Sequence, residues 1–246
     1  MKIKTVDQFI KEIQAKYPSF TKIDHNFTEL KKTKFNKNEC LFVWDTRLGE
    51  ILFAKGIENL LGYKDDEITL NGFANLFHKN DRNLIFKIGQ EAVRHSISHP
   101  DSNSNHNLYI SHRIKTFNGD FIKILAHSKP YQLDKNGYVT KFLVIFSDIS
   151  FVDTSEVVQY KFTAKGLDSK SFHNTVFENN NSIFTSREIA ILKEIKNGNS
   201  SPKIAKNLKI SIHTVASHRK KIMKKSDCHS VEEVLLFCKK NGILLN

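Results

Sequence analysis

The side chains with the most chemical reach stand close together near the carboxyl end, in Ile212-His213-Thr214-Val215-Ala216-Ser217-His218-Arg219-Lys220-Lys221-Ile222-Met223-Lys224-Lys225. At helical spacing Val215 and Ile222, with His218, fall on one side, and Ala216, Ser217, Lys220, Lys221 and Lys224 fall on the other. Small side chains let a helix backbone approach base edges, while Thr214 and the lysines can reach phosphates, each contact adding salt-sensitive but sequence-blind affinity. The plainer alternative is a helical bundle with a solvated basic face. Other chemistry is sparse. His95 and His99 are four residues apart, a spacing that suits a metal, but they run into the polar loop that ends at His106 and read as exposed histidines at a helix end. His112 alternates with Leu108, Ile110 and Ile114 on a strand and reads as a core histidine. Cys40, Cys228 and Cys238 are odd in number and far apart, so they read as reduced, partly buried thiols rather than a disulfide framework or a CxxC metal site. No nucleophile elbow, P-loop, HExxH or pair of catalytic carboxylates occurs, so an enzyme is not expected. No metal or cofactor is assigned.

The charge distribution singles out the same region. Of the formal net charge of +12, residues 184–246 carry 13 basic and 5 acidic residues, residues 1–39 carry 9 and 5, and the Phe-rich middle is neutral. A basic terminal quarter on a neutral core suggests a regulatory unit joined to something that meets a polyanion. Within that quarter, Thr185 with Glu188 is a capping-box start, and Ile189, Leu192 and Ile195 repeat at helical spacing until Gly198. A second helix follows with Ser200 as its cap, Pro202 in its first turn, and Ile204, Ala205 and Leu208 on one face. After Lys209-Ile210-Ser211 the third begins at Ile212. Two short helices joined by a tight turn, the second small at its start and basic beyond, fit a major groove. A fourth helix over Ser230–Cys238 has Val231, Val234, Leu235 and Cys238 as its apolar stripe.

The words Phe184-Thr185-Ser186-Arg187-Glu188, Gly198-Asn199-Ser200, Ile204-Ala205, Leu208, Ile210-Ser211, Thr214-Val215, His218 and Ile222 resemble the LuxR/GerE-type helix-turn-helix. The resemblance makes the helix from Ile212 the recognition helix. It turns Ala216, Ser217 and Lys220 toward base edges and Thr214, His218 and Lys221 toward the backbone. It also implies a homodimer paired through the fourth helix, by Val231, Val234, Leu235 and Cys238. Two departures stand out. The family has a basic residue where this chain has Ala216, so no operator preference carries over, and Lys203 replaces the acidic residue that closes the capping box of the second helix.

The middle reads as a hairpin over residues 40–54, helices near 57–62, 72–78 and 81–97, and strands near 107–117, 120–131 and 138–148, the last three joined through Asn118-Gly119 and Asn136-Gly137. That order predicts an α+β layout, a five-stranded antiparallel sheet with helices on one face. With Leu61-Gly62-Tyr63, Phe77-His78-Lys79-Asn80-Asp81, Asn118-Gly119-Asp120 and Asp148-Ile149-Ser150 it resembles a PAS sensor domain, whose cavity can hold haem, flavin, a small metabolite or nothing. The flavin-type Asn-Cys-Arg-Phe-Leu-Gln run is absent. Lys141–Phe146 is apolar on both faces, so both sides of the sheet need cover. Val6, Phe9, Ile10, Ile13 and Tyr17 form a stripe on a helix of about 5–17, expected to cover the outer face or to pair with its copy.

The domain reading is therefore 1–39, an N-terminal helix and connector; 40–150, PAS-like; 151–183, an added strand at Val158, Tyr160 and Phe162 and then a linker; and 184–246, a small all-α four-helix helix-turn-helix domain. The expected function is a cytoplasmic, sequence-specific transcription regulator that binds double-stranded DNA as a homodimer, with a sensing or dimerising PAS-like part. Rival readings are a protein-docking PAS module with a nonspecific DNA tether, and a haem or flavin sensor-enzyme. No stretch is long and apolar enough to span a membrane.

Overall fold

Apolar residues that alternate with period two, and stripes that repeat every three or four positions, sort the chain into strands and helices along much the predicted lines. A computed structural model describes residues 8, 10–11, 14–15, 26–178, 184–226 and 228–240. Its elements are α1 (Thr28–Lys32), β1 (Glu39–Asp45), β2 (Glu50–Lys55), α2 (Ile57–Leu61), α3 (Leu70–Leu76), α4 (Lys79–Ser98), β3 (Asn107–Lys115), β4 (Phe121–Leu133), β5 (Val139–Asp148), β6 (Gln159–Thr163), α5 (Ser169–Glu178), α6 (Ser186–Lys196), α7 (Ser201–Asn207), α8 (Ile212–Ser226) and α9 (Val231–Lys240). They divide into two compact units, Lys2–Phe172 and His173–Asn246.

The first unit is built on an antiparallel sheet in the order β2-β1-β5-β4-β3-β6. Five strands with α2, α3 and α4 inserted between β2 and β3 make the expected α+β layout. β6 adds a sixth strand beside β3, with Leu108 opposite Phe162 and Ile110 opposite Tyr160. In the hairpin pairs Asn118-Gly119 and Asn136-Gly137 only the glycine is left-handed, at φ 97° and 82°. Each donates its N–H to the carbonyl three residues back, Thr116 and Asp134, so each hairpin closes on a turn followed by a left-handed glycine rather than on two left-handed residues.

Alternation sends Cys40, Phe42, Ile114, Ile124, Ala126, Val144 and Phe146 to the helical face, where they bury Ile57, Leu61 and Phe73. Leu41, Val43 and Leu143 go to the opposite face, as the two-sided apolar character of β5 requires. The cover there differs from the expectation. Phe27, Leu30 and Phe35, from α1 and its flanks, pack on that face, with Phe27 stacked on Phe53 at 5.3 Å. Of the stretch 5–17, Gln8, Ile10, Lys11 and Gln14 are helical, and Val6, Phe9, Ile13 and Tyr17 lie outside the described residues. Ile10 packs at Gly49, and Gln14 Nε2 donates to the Arg47 carbonyl. This turn therefore meets the β1–β2 connection.

The second unit gathers Phe184, Ile191, Leu192, Ile195, Ile204, Ala205, Val215, Ile222, Val234 and Cys238 into one core. Residues 151–183 hold more structure than a strand and a linker, because α5 spans Ser169–Glu178 and Phe172, near its start, packs on Phe162 with ring centroids 4.7 Å apart. Its spaced Phe172 and Val176 are a weak helical signal within polar surroundings. Residues 179–183, the end of the expected linker, lie outside the described residues.

Candidate functional site

Local chemistry anchors the helices that present α8. At α6 both halves of the capping box form: Thr185 Oγ1 accepts from the Glu188 N–H, and the Glu188 carboxylate accepts from the Thr185 N–H at 2.7 Å. Glu188 is only 2% exposed and also accepts from Lys225 Nζ at 2.6 Å, which ties the start of α6 to the end of α8. Burial pushes its carboxyl up, but the Lys225 and Thr185 hydrogen bonds outweigh this and hold it below the usual glutamate value. Arg187 Nη2 donates to the Leu208 carbonyl at 2.7 Å, and the Glu194 carboxylate accepts from both Asn199 and Asn207.

The α7–α8 turn is set by the backbone. Ile210 N–H donates to the Ala205 carbonyl and Lys209 N–H to that of Lys206, a Schellman closure. It places Lys209 at φ 51°, the one non-glycine residue with positive φ among the described residues. Ser211 then starts α8, its Oγ accepting from the Thr214 N–H at 3.0 Å. Ser200, expected to cap α7, makes no side-chain cap bond. With Lys203 in the closing position that helix has no reciprocal box, and Pro202 in its first turn removes one N–H that would need an acceptor.

On α8, Val215 and Ile222 are buried, and Ala216, Ser217, Lys220, Lys221 and Lys224 are exposed together. Thr214 is half-buried, with its hydroxyl 2.9 Å from Ser211 Oγ. His218 is half-buried, and its Nδ1 has no partner among the described residues. No acidic residue lies on α8. One requirement of the fourth helix is corrected. Val234 and Cys238, read as facing a second subunit, are in the core of their own unit, with Val231 and Leu235 packed against it. The apolar stripe of a short helix must first close its own bundle, and among the described residues the large apolar side chain that α9 exposes is Leu236, at 50%.

The first unit holds a cavity of about 210 Å³ between the sheet and helices α3 and α4. Its wall includes Ile10, Phe42, Phe73, Phe77, Gly89, His106, His112 and Phe146. His112 is 1% exposed, lies edge-on to Phe77 at 4.9 Å, and among the described residues neither ring nitrogen has a partner at ordinary hydrogen-bond geometry, apart from a weaker contact with the Ile110 backbone. His106 follows a tight turn pinned by Asn103, whose Nδ2 donates to the Ser96 and Gly137 carbonyls. Its ring is 2% exposed, its Nδ1 has no partner among the described residues, and it packs on Phe162 at 4.7 Å. Burial lowers both imidazoles to about 4, so both are neutral at pH 7. His112 is thus in the core as read. His95 is not simply exposed: it stacks on His99 at 4.3 Å and turns edge-on to Phe162. Among the described residues no group of three potential metal ligands converges.

Comparison with known proteins places the class of the second unit. Residues 182–238 match the bacterial regulatory proteins of the luxR family, and that segment is a LuxR-type helix-turn-helix domain. No curated protein matches the chain. Among solved structures, the chain is similar to the N-terminal domain of a diguanylate cyclase with a PAS/PAC sensor from Marinobacter aquaeolei, at 16% identity over 46% of this chain and 96% of that one, with a TM-score of 0.37. It is also similar to phage VqmA in complex with DPO, at 16% identity over 85% and 84%, TM-score 0.31. A third is Vibrio cholera VqmA with ligand and DNA, at 14% identity over 84% of each chain, TM-score 0.32.

Proposed function

We propose that this chain is a sequence-specific, DNA-binding transcription regulator. Its helix-turn-helix unit lays α8 in the major groove, and its PAS-like unit receives the signal. The observation that carries the reading is the outward face of α8, where Ala216, Ser217, Lys220, Lys221 and Lys224 are exposed on one helix with no acid among them. Ala216 and Ser217 let the backbone come close, Lys220 reaches base edges, and Thr214, His218, Lys221 and Lys224 hold phosphates. The sensing part spans 40–150 and the DNA-binding part 184–246, with 1–39 and 151–183 as connecting segments. The regulator works as a homodimer, so that two copies of α8 enter successive major grooves. The exposed Leu236 on α9, beside half-buried Leu235, supports that helix as the pairing surface.

Footprinting with the full chain tests this. A protected pair of half-sites is the expected result, and uniform protection of random duplex overturns the sequence-specific reading. Lys220→Ala should weaken binding to the preferred site by about 1–3 kcal/mol while sparing random duplex, whereas Lys221→Ala should weaken both and lower the salt slope by about 1. Equal losses for the two variants refute the division of roles.

A further inference from the structure

Ile212 opens α8 and is 54% exposed, although isoleucine is among the side chains most often buried. Ile210, two positions back, packs against the core of the same unit, so the bundle already holds the isoleucine it needs at this turn. The helix does not need Ile212 either, because Ser211 caps α8 and a β-branched residue is a poorer helix former than alanine. Four-residue spacing puts Ile212, Ala216 and Lys220 in one row on the helix surface, and all three are exposed. Helical side chains lean toward the N-terminus. Ile212 therefore reaches past the start of α8, and the next residue in its row is the small Ala216.

The charge of the surrounding chain is the second observation. From Ile195 to Ser226 it carries nine Lys and Arg and no Asp or Glu, which suits a polyanion and repels a basic protein partner. In the LuxR-type domain matched by residues 182–238, α8 is the second helix of the helix-turn-helix, and the first residues of such a helix meet base edges. An isoleucine neither donates a hydrogen bond nor carries a charge, so a phosphate offers it nothing. The donors and acceptors of guanine, cytosine and adenine offer it nothing either. The apolar group on the floor of the major groove is the 5-methyl group of thymine.

We propose that Ile212 reads a thymine in each half-site by packing on its 5-methyl group, with Ala216 keeping the row low enough for that contact and Lys220 reaching a base further along the same row. This deepens the reading of α8 as the recognition helix, and rests on it. Ile212 and Lys220 are separated by about 12 Å along the helix axis, or roughly three to four base-pair steps, which sets the spacing between the thymine and the base that Lys220 reads.

The test uses the full chain. Selection from a duplex pool of randomised sequence gives the preferred site, and each thymine of one half-site is then replaced in turn by deoxyuridine, which pairs alike and lacks the methyl group alone. One such replacement should weaken binding about fourfold, the ratio expected from losing the burial of one methyl-sized group. Ile212→Ser should make binding indifferent to deoxyuridine at that position, since the contact is already gone. In the complex of the unaltered protein, the thymine methyl group there should show a nuclear Overhauser contact to the Cδ1 methyl group of Ile212. Affinity that no deoxyuridine lowers, a deoxyuridine loss that persists in full in Ile212→Ser, or the absence of the Overhauser contact overturns the proposal. The deoxyuridine scan and the Overhauser measurement need no variant, so they decide the matter even if Ile212→Ser fails to fold. A preferred site without such a thymine sinks this inference and leaves the regulator standing. A pool that yields no preferred site sinks the sequence-specific regulator, and this inference with it.

Discussion

Replacing Glu188 by Gln keeps the shape of the side chain and removes its charge, which isolates what the carboxylate does for the helix-turn-helix unit. In the intact protein that carboxylate accepts from the Thr185 N–H at 2.7 Å and from Lys225 Nζ at 2.6 Å while almost wholly buried. Hydrogen bonds to a charged group contribute about 1.5–3 kcal/mol against about 1 for neutral ones, so losing the charge removes roughly 1 kcal/mol per bond. The Lys225 ammonium, with its side chain 37% exposed, recovers part of its hydration, which discounts the second bond. The expected loss is about 1–2 kcal/mol, or roughly 5–15 °C in the melting temperature of a unit this size. The pH dependence has a definite sign. A carboxyl whose folded value lies below its unfolded one contributes stability that is fully present above the unfolded value, about 4.3, and is lost as pH falls through the depressed folded value. The gap between the native protein and Glu188→Gln should therefore be constant from pH 7 to 5 and close below about pH 4. Helical ellipticity reports the transition of the helix-turn-helix unit, while fluorescence of Trp44, the single tryptophan, reports the sheet unit and should be unmoved. Melting within 1 °C of the native protein at pH 7, or a gap that persists undiminished at pH 3, would refute the reasoning.

Two further outcomes follow from the geometry. Asp81 holds the start of α4 to β3 by accepting from the Arg113 backbone N–H and, at 2.6 Å, from its guanidinium, so Asp81→Asn should leave Arg113 poorly compensated and cost about 3 kcal/mol; an unchanged Trp44 melting curve counts against it. Lys209→Gly should raise the stability of the helix-turn-helix unit by about 1 kcal/mol, because φ 51° disfavours any residue with a Cβ; a lower melting temperature by ellipticity rejects that account.

The division between what could be read and what could not follows the range of the interactions. Thr185 and Glu188 are three residues apart, and the bonds they form close within one turn, so the capping box was visible as a pair of letters. The same was true of Gly119 and Gly137, whose conformations permit backbone geometry other residues resist. The exposed set on α8 followed from the 3.6-residue period, since Val215 and Ile222 had to be buried. Ser200 shows where a local signal fails: a residue of the right type stands at the cap position, but the reciprocal partner is missing and its side chain does not engage.

The residue sequence by itself determined the strands, the main helices of both units, the capping box of α6 and the basic face of α8, because these depend on dihedral preference, hydrogen bonds a few residues apart and the periodicity of apolar side chains. Only the tertiary structure decided that Phe27, Leu30 and Phe35 cover the sheet, that Val234 and Cys238 close their own bundle, and that Gly89, His106 and His112 share one cavity. An apolar stripe gains the same free energy from any apolar surface, so its composition cannot name its partner. A cavity is a volume that distant segments leave unfilled, and no local pattern of residues encodes it.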